Sequence, residues 1–136
     1  NKYKAFFDYL PPNTVLRPPA NHLAKAFSKQ CGEYFNNAFS VFDLPLKPAG
    51  TVHQQKVWSA AQDIGVGNTS TYGEIAKRIK SGPRAVGTAC GANPYPLLTP
   101  CHRVVSAQGL GGFMKEDSPG FYRQIKLWLL RHEGAI

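Results

Sequence analysis

The chain has 136 residues, 43% apolar and 12% aromatic, and 16 Lys and Arg against 8 Asp and Glu leave a net charge of +8. That apolar share excludes a disordered chain, and no stretch reaches the ~18–20 apolar residues needed to cross a bilayer. Asn1–Leu10 mixes Lys2, Lys4 and Asp8 among its aromatics, unlike a secretory leader, so a soluble intracellular protein of one domain with a small appendage is expected.

In chain order, Tyr3, Ala5, Phe7 and Tyr9 alternate and suggest a short strand in Asn1–Leu10. Pro11, Pro12, Pro18 and Pro19 make the next stretch irregular. From Ala20 to about Asn36, Leu23, Ala26, Phe27, Cys31 and Tyr34 recur at helical spacing. Ser40–Pro48 reads as extended, and Pro45, Pro48 and Gly50 mark a linker, which divides the chain into 1–48 and 49–136. A second helix is expected from Val52 to Ile64, burying Val57, Trp58, Ala61 and Ile64. Thr71-Tyr72-Gly73-Glu74 has capping-box form and starts a helix that turns Ile75, Ala76 and Ile79 inward and stops at Ser81-Gly82-Pro83. A short helix then runs from near Arg84 to before Asn93-Pro94. Two short helices joined by a tight, glycine-containing turn suggest a helix-turn-helix. Leu97–Val105 is read as a turn entering a strand, and Ser118-Pro119 as the start of a last helix that buries Phe121, Ile125, Trp128 and Leu129.

The charge excess favours a polyanionic partner. Between Val66 and Val105 the basic residues are Lys77, Arg78, Lys80, Arg84 and Arg103, with Glu74 as the only acid. The helix after Arg84 offers Ala85, Thr88, Ala89 and Ala92 on its expected outer face, with Val86 and Cys90 inward. Such small side chains read almost no base sequence, which points to contact by shape and phosphates, as in an opened minor groove. They would equally permit close helix packing. Arg84 suits either insertion into a duplex or a phosphate or surface ion pair.

Three cysteines without CxxC spacing argue against a disulfide framework or a Cys-cluster zinc site and fit a reducing compartment. Cys31 and Cys90 read as small core residues. Cys101 differs, because His102 and Arg103 follow it and a thiol needs such neighbours to react as a thiolate. Neighbours along a strand point to opposite sides, so a water would have to carry the proton from Cys101 to His102. Glu133 is a candidate to orient His102, completing a nucleophile–base–orienter set.

These motifs resemble the O6-alkylguanine-DNA alkyltransferase (methylated-DNA–protein-cysteine methyltransferase) family. The matching pieces are Gly50-Thr51 with Gln55 and Val57-Trp58, Thr71-Tyr72-Gly73, Arg84-Ala85-Val86-Gly87 and Asn93-Pro94. They continue with Pro100-Cys101-His102-Arg103-Val104-Val105, Gly111-Gly112, and Leu129-Leu130 with His132-Glu133-Gly134. The resemblance implies a mainly helical α+β fold: a winged-helix-like C-terminal domain with the helix-turn-helix, after a reduced N-terminal segment. It implies that Cys101 takes the alkyl group irreversibly, activated through water by His102 and Glu133. Tyr72 would rotate the nucleotide out and protonate guanine N3, Arg84 would fill the vacated stack, and Asn93 would brace the active-site turn. Ala85, Thr88 and Ala89 would face DNA, and Pro96, Val104, Phe113 and Met114 would line the pocket. The carbonyls of Cys101 and Val104 would accept from the guanine amino group, and the Met114 N–H would face O6.

The implied partner is duplex DNA carrying O6-alkylguanine, with O4-methylthymine a further candidate. No cofactor, metal or membrane is implied, and a monomer in the cytoplasm or nucleus is expected. The chain departs from the family pattern in a shorter Tyr72–Arg84 interval, in Phe113 for a common Tyr and in Met114 for a small polar residue. The segment Lys115–Gln124 is longer, and the N-terminal sheet is reduced. A non-catalytic sensor of damaged bases and a sequence-specific helix-turn-helix regulator are the rival readings. The presence of Cys101 argues against the first, and the Ala- and Gly-rich helix against the second.

Overall fold

The computed structural model describes residues 21–45, 47, 49–110 and 121–136, with the side chains of Phe121 and Tyr122 excepted. The expected strand in Asn1–Leu10, the Ser118-Pro119 helix start, Gly111-Gly112, Phe113 and Met114 lie outside the described residues. The chain divides into two compact units, Asn1–Leu44 and Pro45–Ile136.

In the first unit the Asn21 side chain accepts from the Ala24 N–H at 2.7 Å and caps α1, His22–Asn36. Of the expected apolar stripe only Tyr34 is buried, packed on Phe35 and Phe42, whereas Leu23 and Phe27 are exposed. The difference follows from what is seen to cover the helix. Gln30 pins the extended stretch after α1 by accepting from the Asp43 N–H at 2.7 Å and donating to the Asp43 carbonyl at 3.0 Å.

The second unit begins with a capping box the sequence reading missed. Thr51 Oγ1 accepts from the Gln54 N–H at 3.1 Å, Gln54 Oε1 accepts from the Thr51 N–H at 2.9 Å, and α2 runs Val52–Gln62. Gly50 precedes it at φ +84, where a Cβ would lie 2.6 Å from the Trp58 ring, so only glycine fits. Val57, Trp58 and Ala61 are buried as expected, while Ile64 lies beyond the helix and is half-buried. The Trp58 Nε1–H donates at 2.9 Å to the Ala89 carbonyl, near the C-terminal end of α4 (Pro83–Gly91), and ties the two helices together.

The expected box at Thr71 is present, with Glu74 N–H to Thr71 Oγ1 at 3.0 Å and Thr71 N–H to Glu74 Oε1 at 2.9 Å. It opens α3, Tyr72–Ile79, which buries Ile75 and Ala76 against α2 and α4. Lys80, not Gly82, takes the left-handed position (φ 59, ψ 53), and the Ser81 N–H closes on the Ala76 carbonyl at 2.8 Å. Gly82 is extended and caps α4, whose first residue is Pro83. A left-handed lysine is strained, so Lys80→Gly is expected to raise stability by about 0.5–1 kcal/mol, seen as a higher midpoint in thermal denaturation. An unchanged or lower midpoint would mean that the lysine side chain offsets its own strain.

The chain returns through a 3-10 turn, Cys101–Arg103, into β2 (Val104–Val105), which pairs in parallel with β1 (Ser70–Thr71) through Ser70↔Val104 and Thr71↔Val105. This two-residue ladder sets the start of α3 beside the end of the turn. The last helix, α5, is Phe121–His132. Its buried stripe, with the residue that follows the helix, is Lys126, Leu129, Leu130 and Glu133, at spacings of three, four and seven. Ile125 and Trp128, expected inward, are half-buried, and Trp128 stacks on His132 with ring centroids 4.9 Å apart. The class is thus the mainly helical α+β domain expected. None of its described helices is long and apolar enough to cross a membrane.

Candidate active site

Cys101 and His102 are 3% and 1% exposed, and both belong to the three-residue 3-10 turn. Asn93, itself buried, builds the approach to that turn. Its Nδ2 donates to the Thr99 carbonyl at 2.8 Å and its Oδ1 accepts from the Tyr95 N–H at 2.9 Å. Between them Leu97 sits at φ 75, a conformation rare for a branched side chain and held by the Thr99 N–H bond to the Tyr95 carbonyl at 2.9 Å. Pro96 is half-buried and bridges to Thr99.

His102 Nε2 lies 2.7 Å from Glu133 Oε2, joining the turn to the end of α5. The sequence reading placed these two together, but it set Arg103 beside Cys101 and missed its pairing with Glu133. In an extended strand His102 and Arg103 would diverge, whereas the 3-10 turn brings both onto one carboxylate. Arg103 Nε donates to Glu133 Oε1 at 2.8 Å and Nη2 to Oε2 at 3.1 Å, while Nη1 donates to the Ile64 carbonyl at 2.8 Å. Gly67 lets that loop pass close by, since a Cβ there would come within 3.3 Å of the Glu133 carbonyl, and its φ of +84 suits glycine. Burial holds His102 below the usual histidine range. Glu133 pulls it up, and Arg103 and Lys126 push it further down. A neutral imidazole facing an acceptor-only carboxylate donates its Nε2–H and keeps a lone pair on Nδ1, so it is available as a base.

The Cys101 thiol is held well above the usual cysteine range, first by its hydrogen bond with Cys90 and next by burial, while Asn93 and the Lys126 charge draw it down. It therefore rests as a thiol and reacts only once a base takes its proton. Cys90, read as an inert core residue, is buried as expected but adjoins the Cys101 thiol. In the other unit burial pushes the Cys31 thiol up to about 11.

A second residue that the sequence reading missed is Lys126. It is fully buried, donates from Nζ to the Val104 carbonyl at 2.7 Å and to the Tyr72 hydroxyl at 3.4 Å, and lies 5.6 Å from the Tyr72 ring centroid. The signal for it was present in the i, i+3, i+4, i+7 stripe, which only a lysine with a buried aliphatic stem can join. The Val104 carbonyl thus already accepts one hydrogen bond, as does that of Cys101 from the Val104 N–H.

Tyr72 opens α3, with its ring beside Gly87 of α4. Arg84, Ala85 and Thr88 are exposed on α4, and the Thr88 hydroxyl donates to the Arg84 carbonyl at 3.1 Å. Ala89 departs from its expected place on that face. It is 2% exposed because the tryptophan bond to its carbonyl turns this side of α4 toward α2. Among the basic residues of the region, Arg78 pairs with Asp63 and Arg103 with Glu133. Lys77, Lys80 and Arg84 are exposed and make no ion pair among the described residues.

A family model described as the DNA binding domain of 6-O-methylguanine DNA methyltransferase matches residues 52–135. The chain belongs to this family. A methylated-DNA–protein-cysteine methyltransferase of Methanosarcina acetivorans is 43% identical over 111 residues, 79% of this chain and 67% of that one. A probable enzyme of the same name from Acanthamoeba polyphaga mimivirus is 41% identical over 126 residues, 89% and 76% of the two chains. The crystal structure of Mycobacterium tuberculosis OGT in complex with DNA matches with a TM-score of 0.73 at 36% identity, covering 92% of this chain and 74% of that one. Of a Haemophilus influenzae relative the chain spans about half the length, 48%. The methyltransferase family model takes in every residue of the Cys101–Glu133 site and of the α3–α4 face.

Proposed function

We propose that this chain repairs O6-alkylguanine in duplex DNA by moving the alkyl group irreversibly onto Cys101 Sγ, one group per molecule, inside the cell where the DNA is. The observation that carries the reading is a buried thiol on the same turn as a neutral His102 bound to Glu133. In this reading residues 49–136 hold the DNA-binding and chemical machinery, and the chain acts as a monomer.

The exposed face of Arg84, Ala85 and Thr88 meets the minor groove, and Lys77 and Lys80 neutralise phosphates. The damaged guanine leaves the stack, because its O6 substituent is otherwise out of reach of a buried sulfur. His102 takes the Cys101 proton through a bridging water. The S–C bond then forms as the C–O6 bond breaks, and the electron pair left on the base is met by a proton at N3 from the Tyr72 hydroxyl. The proton lost by the thiol finally restores Tyr72, so the products are a thioether and an intact guanine. Asn93 and Pro96 shape the turn that presents the sulfur. Phe113 and Met114 complete the pocket in this reading.

The test is incubation with a duplex containing O6-methylguanine, followed by mass spectrometry for a single added methyl. A lesion that is bound but left intact would instead favour the sensor reading. Arg84→Ala is expected to slow repair of duplex by about tenfold while changing repair of a single-stranded lesion by less than about twofold, since only the duplex has a gap to fill. Equal losses on both substrates would contradict insertion.

A further inference from the structure

Glu133 sits buried between two groups of opposite consequence for His102. As a lone carboxylate beside the Nε2 atom, it would favour the charged imidazolium, which has no lone pair left to accept a proton. Arg103 alters that balance. Its guanidinium occupies Oε1 through Nε and Oε2 through Nη2, the side-by-side arrangement that only arginine offers, and its third contact to the Ile64 carbonyl holds it there. Glu133 thus accepts one hydrogen bond from His102 at 2.7 Å, while most of its charge is matched elsewhere.

We propose that Arg103 is a positioning residue for alkyl transfer: by matching the Glu133 charge, it lets Glu133 orient the His102 ring without favouring the imidazolium, so that Nδ1 stays open for the Cys101 proton. The inference rests on the alkyl-transfer reading above. The described charged or titratable groups acting on His102 support the direction. Arg103 on the same turn and Lys126 from α5 both disfavour the imidazolium, and Glu133 alone favours it. Cys101, held well above the usual cysteine range, adjoins it in sequence, with Cys90 of α4 beside that thiol.

The sign of the effect follows. Removing the Arg103 cation takes away one repulsion and unmasks one attraction, and both changes raise the pH at which His102 gains its proton. Transfer needs neutral His102, so its rate falls as pH drops through that point. Arg103→Met is therefore expected to transfer about tenfold more slowly than wild type near about pH 6.5, with the gap closing to less than about twofold by about pH 9. A residue that merely held the loop in place would lower the rate by one factor at every pH.

The experiment is an NMR titration of the His102 ring in wild type and Arg103→Met, with the pH profile of methyl transfer measured on the same samples. The expected result is an upward displacement of both the titration and the acid limb of the rate. An unchanged His102 titration overturns the inference. If the methionine variant does not fold, Arg103→Lys decides. A single ammonium cannot cover both oxygens, so a smaller upward displacement supports the clamp and none overturns it. The two readings fail separately, because the titration is measured without substrate. A wild type that transfers no methyl overturns the repair reading whatever His102 does.

Discussion

Cys101→Ser is expected to abolish methyl transfer, a loss of at least about 10³-fold, while affinity for lesion-containing duplex stays within about twofold. A serine hydroxyl is far harder to ionise than a thiol, so the anion that must displace O6 scarcely forms. The replacement is close in size, so the turn that Asn93 braces should persist. The measurement needs care, because tryptic cleavage after Arg84 and Arg103 leaves Cys90 and Cys101 in one peptide. Fragment spectra must therefore place the methyl. A methyl on Cys90 in wild type, or transfer surviving in the serine variant, would move the chemistry to the adjoining thiol.

Glu133→Ala is expected to cost about 3–5 kcal/mol, because it leaves a guanidinium and an imidazole buried without their shared acceptor. In the native chain the Glu133 side chain is fully covered, with those of Arg103 and His102 11% and 1% exposed, so water cannot stand in freely for the lost carboxylate. Glu133→Gln keeps one acceptor oxygen and the side-chain volume and should lose less. Urea unfolding of the three proteins separates these outcomes. A loss below about 1 kcal/mol for the alanine variant would mean that the guanidinium and the imidazole find other acceptors.

Much of this was readable in advance, and each failure has a physical cause. The Thr71–Glu74 box declared α3 because both of its hydrogen bonds are local, four residues end to end. The pairing of His102 with Glu133 was inferred from residue chemistry and is observed at 2.7 Å. Arg103 was read as a neighbour of Cys101 and not as a partner of Glu133, because a strand was assumed where a 3-10 turn forms. That one change of backbone redirects a guanidinium from the opposite face onto Glu133. Ala89 was misplaced for another reason: small residues fit either face of a helix, and a hydrogen bond from Trp58, 31 positions earlier, decided which. Lys80 carries the left-handed turn although a glycine stands two residues on, since α3 runs to Ile79 and Gly82 is needed extended before Pro83.

The sequence by itself determined the Thr71–Glu74 cap with the helix it opens, the basic face after Val66, and the candidates for nucleophile, base and orienter. Each of these depends on neighbours along the chain or on what a side chain is able to do in isolation. Only the tertiary structure decided that Lys126 lies under Tyr72, that Cys90 adjoins Cys101, and that Arg103 and His102 converge on Glu133. Those arrangements join segments that the chain keeps far apart. Burial alone gives them their strength, since the same charges in water would scarcely sense one another.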